Sequence, residues 1–193
     1  MAFPPLFSNF ANGFRLINGT DLNDIFSGRK AITPAIAAGN GGSTVNPSGL
    51  LTANLTSTAT GAGTTEQTLL SYTLPAKTLS ATNKGLKIQA WGVTAANANN
   101  KTMKLYFGSE VITTPTAATN NKGWELELYV YRNGSSTQVV FGKGQVDTTA
   151  VTTLVTTGTE TDTAGILIKL TGTDGSDSAG DIVAKGLIVE MIN

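Results

Sequence analysis

Two carboxylates two positions apart, Glu125 and Glu127, sit in the run Trp124-Glu125-Leu126-Glu127-Leu128-Tyr129-Val130-Tyr131. Such a pair could do glycoside hydrolysis, which runs on two carboxyl groups and needs no histidine. On a strand, residues i and i+2 share a face with Cα atoms roughly 7 Å apart, which fits that chemistry only loosely. The exposed polar face of an antiparallel sheet produces the same pattern with no active site, so the expectation is a protein that is not an enzyme. A second acidic group, Asp174, Asp177 and Asp181, lies in Asp174-Gly175-Ser176-Asp177-Ser178-Ala179-Gly180-Asp181. Its composition is that of a calcium loop, but the terminal glutamate and the flanking helices of an EF-hand are missing. It reads first as a polar turn, and these three aspartates are the candidate for an oxygen-ligand cation site.

Other chemistries are closed by composition. The 193 residues include no His and no Cys. That excludes Ser-His-Asp and Cys-His nucleophiles, thiolate or imidazole zinc sites, iron–sulfur clusters, His-ligated haem and disulfides. Neither GxGxxG opening a helix after a strand nor GxxxxGK[ST] is present, so no nucleotide and no other cofactor is expected. Thirteen Lys plus Arg balance thirteen Asp plus Glu, with no basic stripe of the kind that displaces phosphate counterions, so nucleic acid is not an expected partner. No apolar run reaches the ~18 residues of a membrane span, and Met1-Ala-Phe-Pro-Pro does not read as a signal peptide, so a soluble protein with no membrane partner is expected.

Aromatic residues offer binding rather than catalysis. Tyr72, Trp91, Tyr106, Trp124, Tyr129 and Tyr131 would make a sugar-stacking platform if several faced solvent together, and are otherwise core or cross-strand partners. A separate cluster lies at the N-terminus, where residues 1–30 hold five of the seven Phe and two of the three Arg. Phe3, Phe7, Phe10, Phe14, Arg15, Leu22, Ile25 and Phe26 are the candidate partner-docking residues. Thirty residues cannot bury five Phe among themselves, and each buried Phe is worth roughly 1.5–3 kcal/mol. The arm therefore folds back on its own domain or docks into a neighbouring subunit.

The elements that would position these groups follow from pattern. Charged residues make up 13% of the chain, against a norm of ~25%, while Thr, Gly and Asn number 31, 22 and 15. Residues 31–65 carry no charge and no aromatic ring, and 31–49 read as linker. The folded domain is expected over 50–193, with Leu50 to Thr56 as a candidate first strand, and from about residue 66 onward period-two runs recur between Gly-, Asn- and Asp-rich turns: Thr68 to Leu74, Leu86 to Val93, Thr102 to Phe107, Glu110 to Thr113, Trp124 to Tyr131, Thr137 to Phe141, Ala150 to Thr156, Gly165 to Thr171 and Leu187 to Ile192. Eight or more short strands and almost no amphipathic helix predict a mainly β fold, an antiparallel β-sandwich or jelly roll. Asn133-Gly134 predicts a type I′ hairpin turn. One short helix, capped at Thr20 or Asp21 and ended by Gly28, is expected in the arm.

Several of these stretches resemble known proteins. Thr65-Glu66-Gln67-Thr68-Leu69-Leu70-Ser71-Tyr72-Thr73-Leu74-Pro75-Ala76, with Leu86-Lys87-Ile88-Gln89-Ala90-Trp91-Gly92, Ala95 to Lys101 and Leu105-Tyr106-Phe107-Gly108, resembles β-sandwich domains of tailed-bacteriophage virion proteins. Phe14-Arg15-Leu16-Ile17-Asn18-Gly19-Thr20-Asp21-Leu22-Asn23 is similar to N-terminal segments of phage structural proteins. The resemblance implies a virion component, first a trimeric capsid decoration or cement protein whose arm clamps the major capsid protein, another virion protein or an adjacent copy. The alternative it implies is a tail fibre or spike binding a host receptor or glycan. It carries no catalytic residues.

Overall fold

Alternation of side chains decides where each strand's two faces go. In Gly85–Thr94, Leu86, Ile88 and Ala90 are buried while Lys87, Gln89 and Trp91 point the other way; in Gly123–Arg132, Leu126, Leu128 and Val130 are buried and Glu125, Glu127, Tyr129 and Tyr131 are not. A period of two with only one face apolar is the signature of a sheet that packs on one side. The computed structural model describes residues 49–192, and all of the regular structure in them is β.

Thirteen strands follow one another: β1 (Gly49–Asn54), β2 (Thr58–Ala59), β3 (Gln67–Leu74), β4 (Gly85–Thr94), β5 (Asn100–Phe107), β6 (Glu110–Thr113), β7 (Ala117–Ala118), β8 (Gly123–Arg132), β9 (Gln138–Val146), β10 (Thr149–Ala150), β11 (Leu154–Gly158), β12 (Ile166–Asp174) and β13 (Ile182–Met191). The larger sheet runs β1-β13-β4-β8-β9-β10, with β11 also on β9 and β2 on β13; the smaller runs β3-β12-β5-β6, with β7 on β5. All pairings are antiparallel. The pairs β1·β13, β3·β12, β4·β8 and β5·β6 are nested and alternate between the sheets, so the sandwich is a jelly roll. Its core is formed by the inner faces, with Leu74, Leu86, Ile88, Leu105, Phe107, Leu126, Leu128 and Ile168 fully shielded from water.

Local structure departs from expectation in three places. Asn133-Gly134 does not form a two-residue primed turn, since neither residue takes positive φ. The loop 133–137 is instead closed by the Asn133 N–H on the Thr137 carbonyl at 3.1 Å and by Arg132 Nε on the Gly134 carbonyl at 2.7 Å. The Arg132 guanidinium also donates to the Ser135 carbonyl at 2.5 Å, so one side chain holds two carbonyls of the longer loop. Ala150 to Thr156 is not one strand but two pieces, β10 and β11, because Val151 turns into the core at 4% exposure. The last strand begins at Ile182, earlier than the apolar run at Leu187 suggested, and carries a bulge between Ala184 and Gly186. The short helix and the docking arm, residues 1–30, lie outside the described residues, as does the linker, 31–49, except for Gly49, which begins β1.

Candidate functional site

The outer face of the larger sheet brings chemistry-bearing side chains into register. One row across it reads Glu190, Lys87, Tyr129, Phe141 and Val155; the next reads Ile188, Gln89, Glu127 and Lys143; a third reads Gly186, Trp91, Glu125 and Gln145. On the other side of the first row lie Gly85, Tyr131 and Val139. The result is a polar lane flanked by aromatic rings on both sides.

Two glycines set the attitude of those rings. A Cβ at Gly186 would stand 2.3 Å from Trp91 Cζ2, and one at Gly85 would stand 2.7 Å from Tyr131 Cδ1. Both contacts are far inside van der Waals range, so each ring lies over a strand position that only glycine leaves vacant. Trp91 is half-buried against the sheet, while Tyr131 and Phe141 keep 41% and 38% of their surface in water. Tyr129 and Phe141 meet as a tilted pair with centroids 6.0 Å apart, a favourable aromatic geometry. A shallow hollow of about 420 Å³ opens beside Trp91, Glu125, Gln145 and Asp147, and another of about 430 Å³ beside Tyr129, Tyr131, Phe141 and Lys143.

Glu127 is the hub of the lane between them. It accepts from Gln89 Nε2 and from the Tyr129 hydroxyl at 3.2 Å, and it faces Lys143 at 3.0 Å and Lys87 at 3.7 Å. Partial burial works against its charge, but the hydrogen bonds from Lys143 and Gln89 prevail and hold its carboxyl below the ordinary value. The same contact with Glu127 raises Lys143. An acid kept ionised in this way is a poor proton donor for glycoside hydrolysis, and a good acceptor for hydroxyl groups.

The sandwich divides the six aromatic candidates. Trp91, Tyr129 and Tyr131 share the face just described; Trp124 is in the core at 3% exposure, packed over Gly92. Tyr72 and Tyr106 belong to β3 and β5 of the smaller sheet. There Tyr106 donates to Glu66 at 2.7 Å, Lys104 also donates to Glu66 at 2.7 Å, and Lys169 stands 4.5 Å from the Tyr106 ring centroid. Burial would raise the Glu66 carboxyl, but the donors from Lys104 and Tyr106 outweigh it and bring it to about 2. Phe141, Gln89 and Lys143 are members of the larger face that no single-strand pattern isolates; only the β8·β9 and β4·β8 registers bring them to Glu127 and Tyr129.

The three aspartates are placed apart in character. Asp174 and Asp181 are each 1% exposed, whereas Asp177 is exposed. No group of three acidic side chains among the described residues is arranged to hold a metal ion. The cation at this end of the sandwich is Lys101, itself 1% exposed. Its ammonium donates to Asn97 Oδ1 at 2.7 Å, to the Asn99 carbonyl at 2.8 Å, to the Thr119 carbonyl at 3.0 Å and to the Asn97 carbonyl at 3.3 Å. Asp181 accepts from Asn97 Nδ2 at 2.7 Å and Asn99 Nδ2 at 2.8 Å. Burial opposes the Asp181 charge, yet these amides and the Lys101 ammonium keep its carboxyl below the ordinary value. Neither oxygen of Asp174 has a hydrogen-bond partner, and burial, reinforced by Asp181, pushes its carboxyl up. The docking candidates Phe3, Phe7, Phe10, Phe14, Arg15, Leu22, Ile25 and Phe26 lie outside the described residues.

No protein-family model and no curated protein matches the chain. Among solved structures, it is similar to the CBM2 module of the evolved Dit of Lactobacillus casei BL23 phage J-1, with TM-score 0.36 and 9% identity over 62% of this chain and 67% of that one. It is also similar to an alginate lyase variant in complex with alginate trisaccharide, with TM-score 0.33 and 11% identity over 71% of this chain and 88% of that one. Neither likeness is close enough to bear on what the larger sheet binds.

Proposed function

We propose that the chain is a tailed-phage virion appendage protein whose larger sheet binds a surface glycan. One observation carries the binding part: Trp91 on one side and Tyr129, Tyr131 and Phe141 on the other flank a lane of Gln89, Glu127 and Lys143 on a single solvent-facing surface. Sugars present an apolar C–H face to an aromatic ring and hydroxyls to amides and ions, and this face supplies both kinds of partner. The virion part is supported by the sequence resemblance.

The test is a glycan array and a cell-binding assay with the full chain, alongside Trp91→Ala/Tyr129→Ala. Signal from the parent chain that disappears in a folded double variant is the expected result. Equal signal from both, or none from the parent on any array or host surface, overturns the reading.

A second reading, capsid decoration by a homotrimer that clamps the major capsid protein, is favoured by the Phe cluster in residues 1–30. Copy number separates the two: hundreds per particle fit decoration, a few dozen or fewer fit an appendage.

A further inference from the structure

Resting on the glycan-binding reading, we infer that the face takes an internal stretch of an uncharged polysaccharide longer than a disaccharide, laid across β4, β8 and β9. The span is set by strand geometry. From Trp91 to the row of Lys87 and Tyr129 is four residues along β4, roughly 13 Å at ~3.3 Å per residue, and the Trp91 ring, lying over Gly186 of β13, stands further to the side, away from β8 and β9. A sugar stacked on Trp91 and another on the Tyr129–Phe141 pair must therefore be joined through at least one more, seated over Gln89 and Glu127. Among the described residues there is a hollow at each aromatic group rather than one blind pocket, so a chain can continue past either ring.

Charge selects the class. Across these rows three glutamates, Glu125, Glu127 and Glu190, stand against two lysines, Lys87 and Lys143. Both lysines already face Glu127, at 3.7 and 3.0 Å, and Asp147, which lines the Trp91 hollow, is paired with Lys122 at 2.8 Å. A uronate or sulfated chain would have to take a lysine from Glu127, or draw Lys185, beside Gly186 on β13, away from the Ser57 hydroxyl. Neutral hydroxyls meet Gln89, Gln145 and the free lone pairs of the carboxylates without displacing anything.

Calorimetry with the full chain tests this, using linear gluco-, manno- and galacto-oligosaccharides from disaccharide to hexasaccharide against oligomannuronates of equal length, without divalent cations. The expected result is a neutral series whose affinity climbs by about tenfold or more beyond the disaccharide, as a second aromatic contact is gained. Trp91→Ala flattens that climb, and Phe141→Ala, at a more exposed position, does the same if the first variant fails to fold. Tighter binding of the oligomannuronates, or a neutral affinity that is already complete at the disaccharide, overturns the inference while leaving glycan binding intact. No binding to any glycan, on this series or on the array, overturns the glycan reading as well.

Discussion

Lys101→Met removes the ammonium while keeping most of the stem volume, and the structure sets the size of the effect. Four oxygens lose the ammonium at once: the backbone carbonyls of Asn97, Asn99 and Thr119, and Asn97 Oδ1, which keeps only the Asn99 N–H at 3.2 Å. Asp181 and Asp174 lose the cation that opposes their mutual repulsion. Removing one partner from a buried charge set costs about 3–5 kcal/mol, mostly because the remaining charge and dipoles stay dry and unpaired. Against a domain stability of about 5–15 kcal/mol, that is a large fraction. For a domain near 150 residues, about 3 °C is lost per kcal/mol, so the melting temperature should fall by roughly 10–15 °C. Urea unfolding followed by tryptophan fluorescence, which reports on Trp91 and Trp124, gives the same quantity as a shift in midpoint at constant slope. A loss below about 1 kcal/mol is the contrary outcome. It would mean that water replaces the ammonium at no cost, so that this end of the sandwich is wet and the caged cation is ornamental.

Three other outcomes follow from named contacts. Asp174→Asn should stabilise the protein at pH 7, because the folded-state carboxyl is pushed above its ordinary 3.8; the penalty is full above the folded value and gone below 3.8, so unfolding midpoints of parent and variant should converge toward pH 3. Glu66→Gln should act in the opposite sense: the contribution of Glu66 is present above 4.5 and lost as pH falls toward about 2. The variant should be less stable near neutrality and show a shallower acid decline, and identical pH profiles would contradict this. Gly186→Ala places a Cβ 2.3 Å from Trp91 Cζ2 and should cost about 1–3 kcal/mol through overpacking, shift the tryptophan emission and weaken glycan binding. An unmoved emission spectrum would show that the ring does not lie over Gly186.

Much of the sandwich was legible because its strands follow the two-residue period. Leu86, Ile88 and Ala90 against Lys87, Gln89 and Trp91 define the two faces of β4 by alternation alone, and Glu125, Glu127, Tyr129 and Tyr131 do so for β8. The nested pairing was not legible, since it depends on which strand lies beside which, and Gln89 meets Glu127 only through a register spanning 38 positions. Trp124 is legible by the same alternation: it continues the inward face of Leu126 and Leu128, and it lies in the core rather than on the platform. The Asp174 to Asp181 stretch reads as a polar turn from composition, which marks acidic oxygens but says nothing about the ammonium of Lys101 brought in on β5.

The pairing of β1 with β13 has a mechanical meaning. Gly49 lies opposite Met191 and Asn54 opposite Leu187, so β1 is held along its length by an adjacent antiparallel strand, which is in turn held by β4. A pull along β1 from the chain ahead of Gly49 loads these hydrogen bonds in shear, all together. The same pull directed across the sheet would peel them one after another. A tether aligned with β1 would therefore transmit far more force to the strands of the larger sheet before the sandwich opens than one attached at right angles.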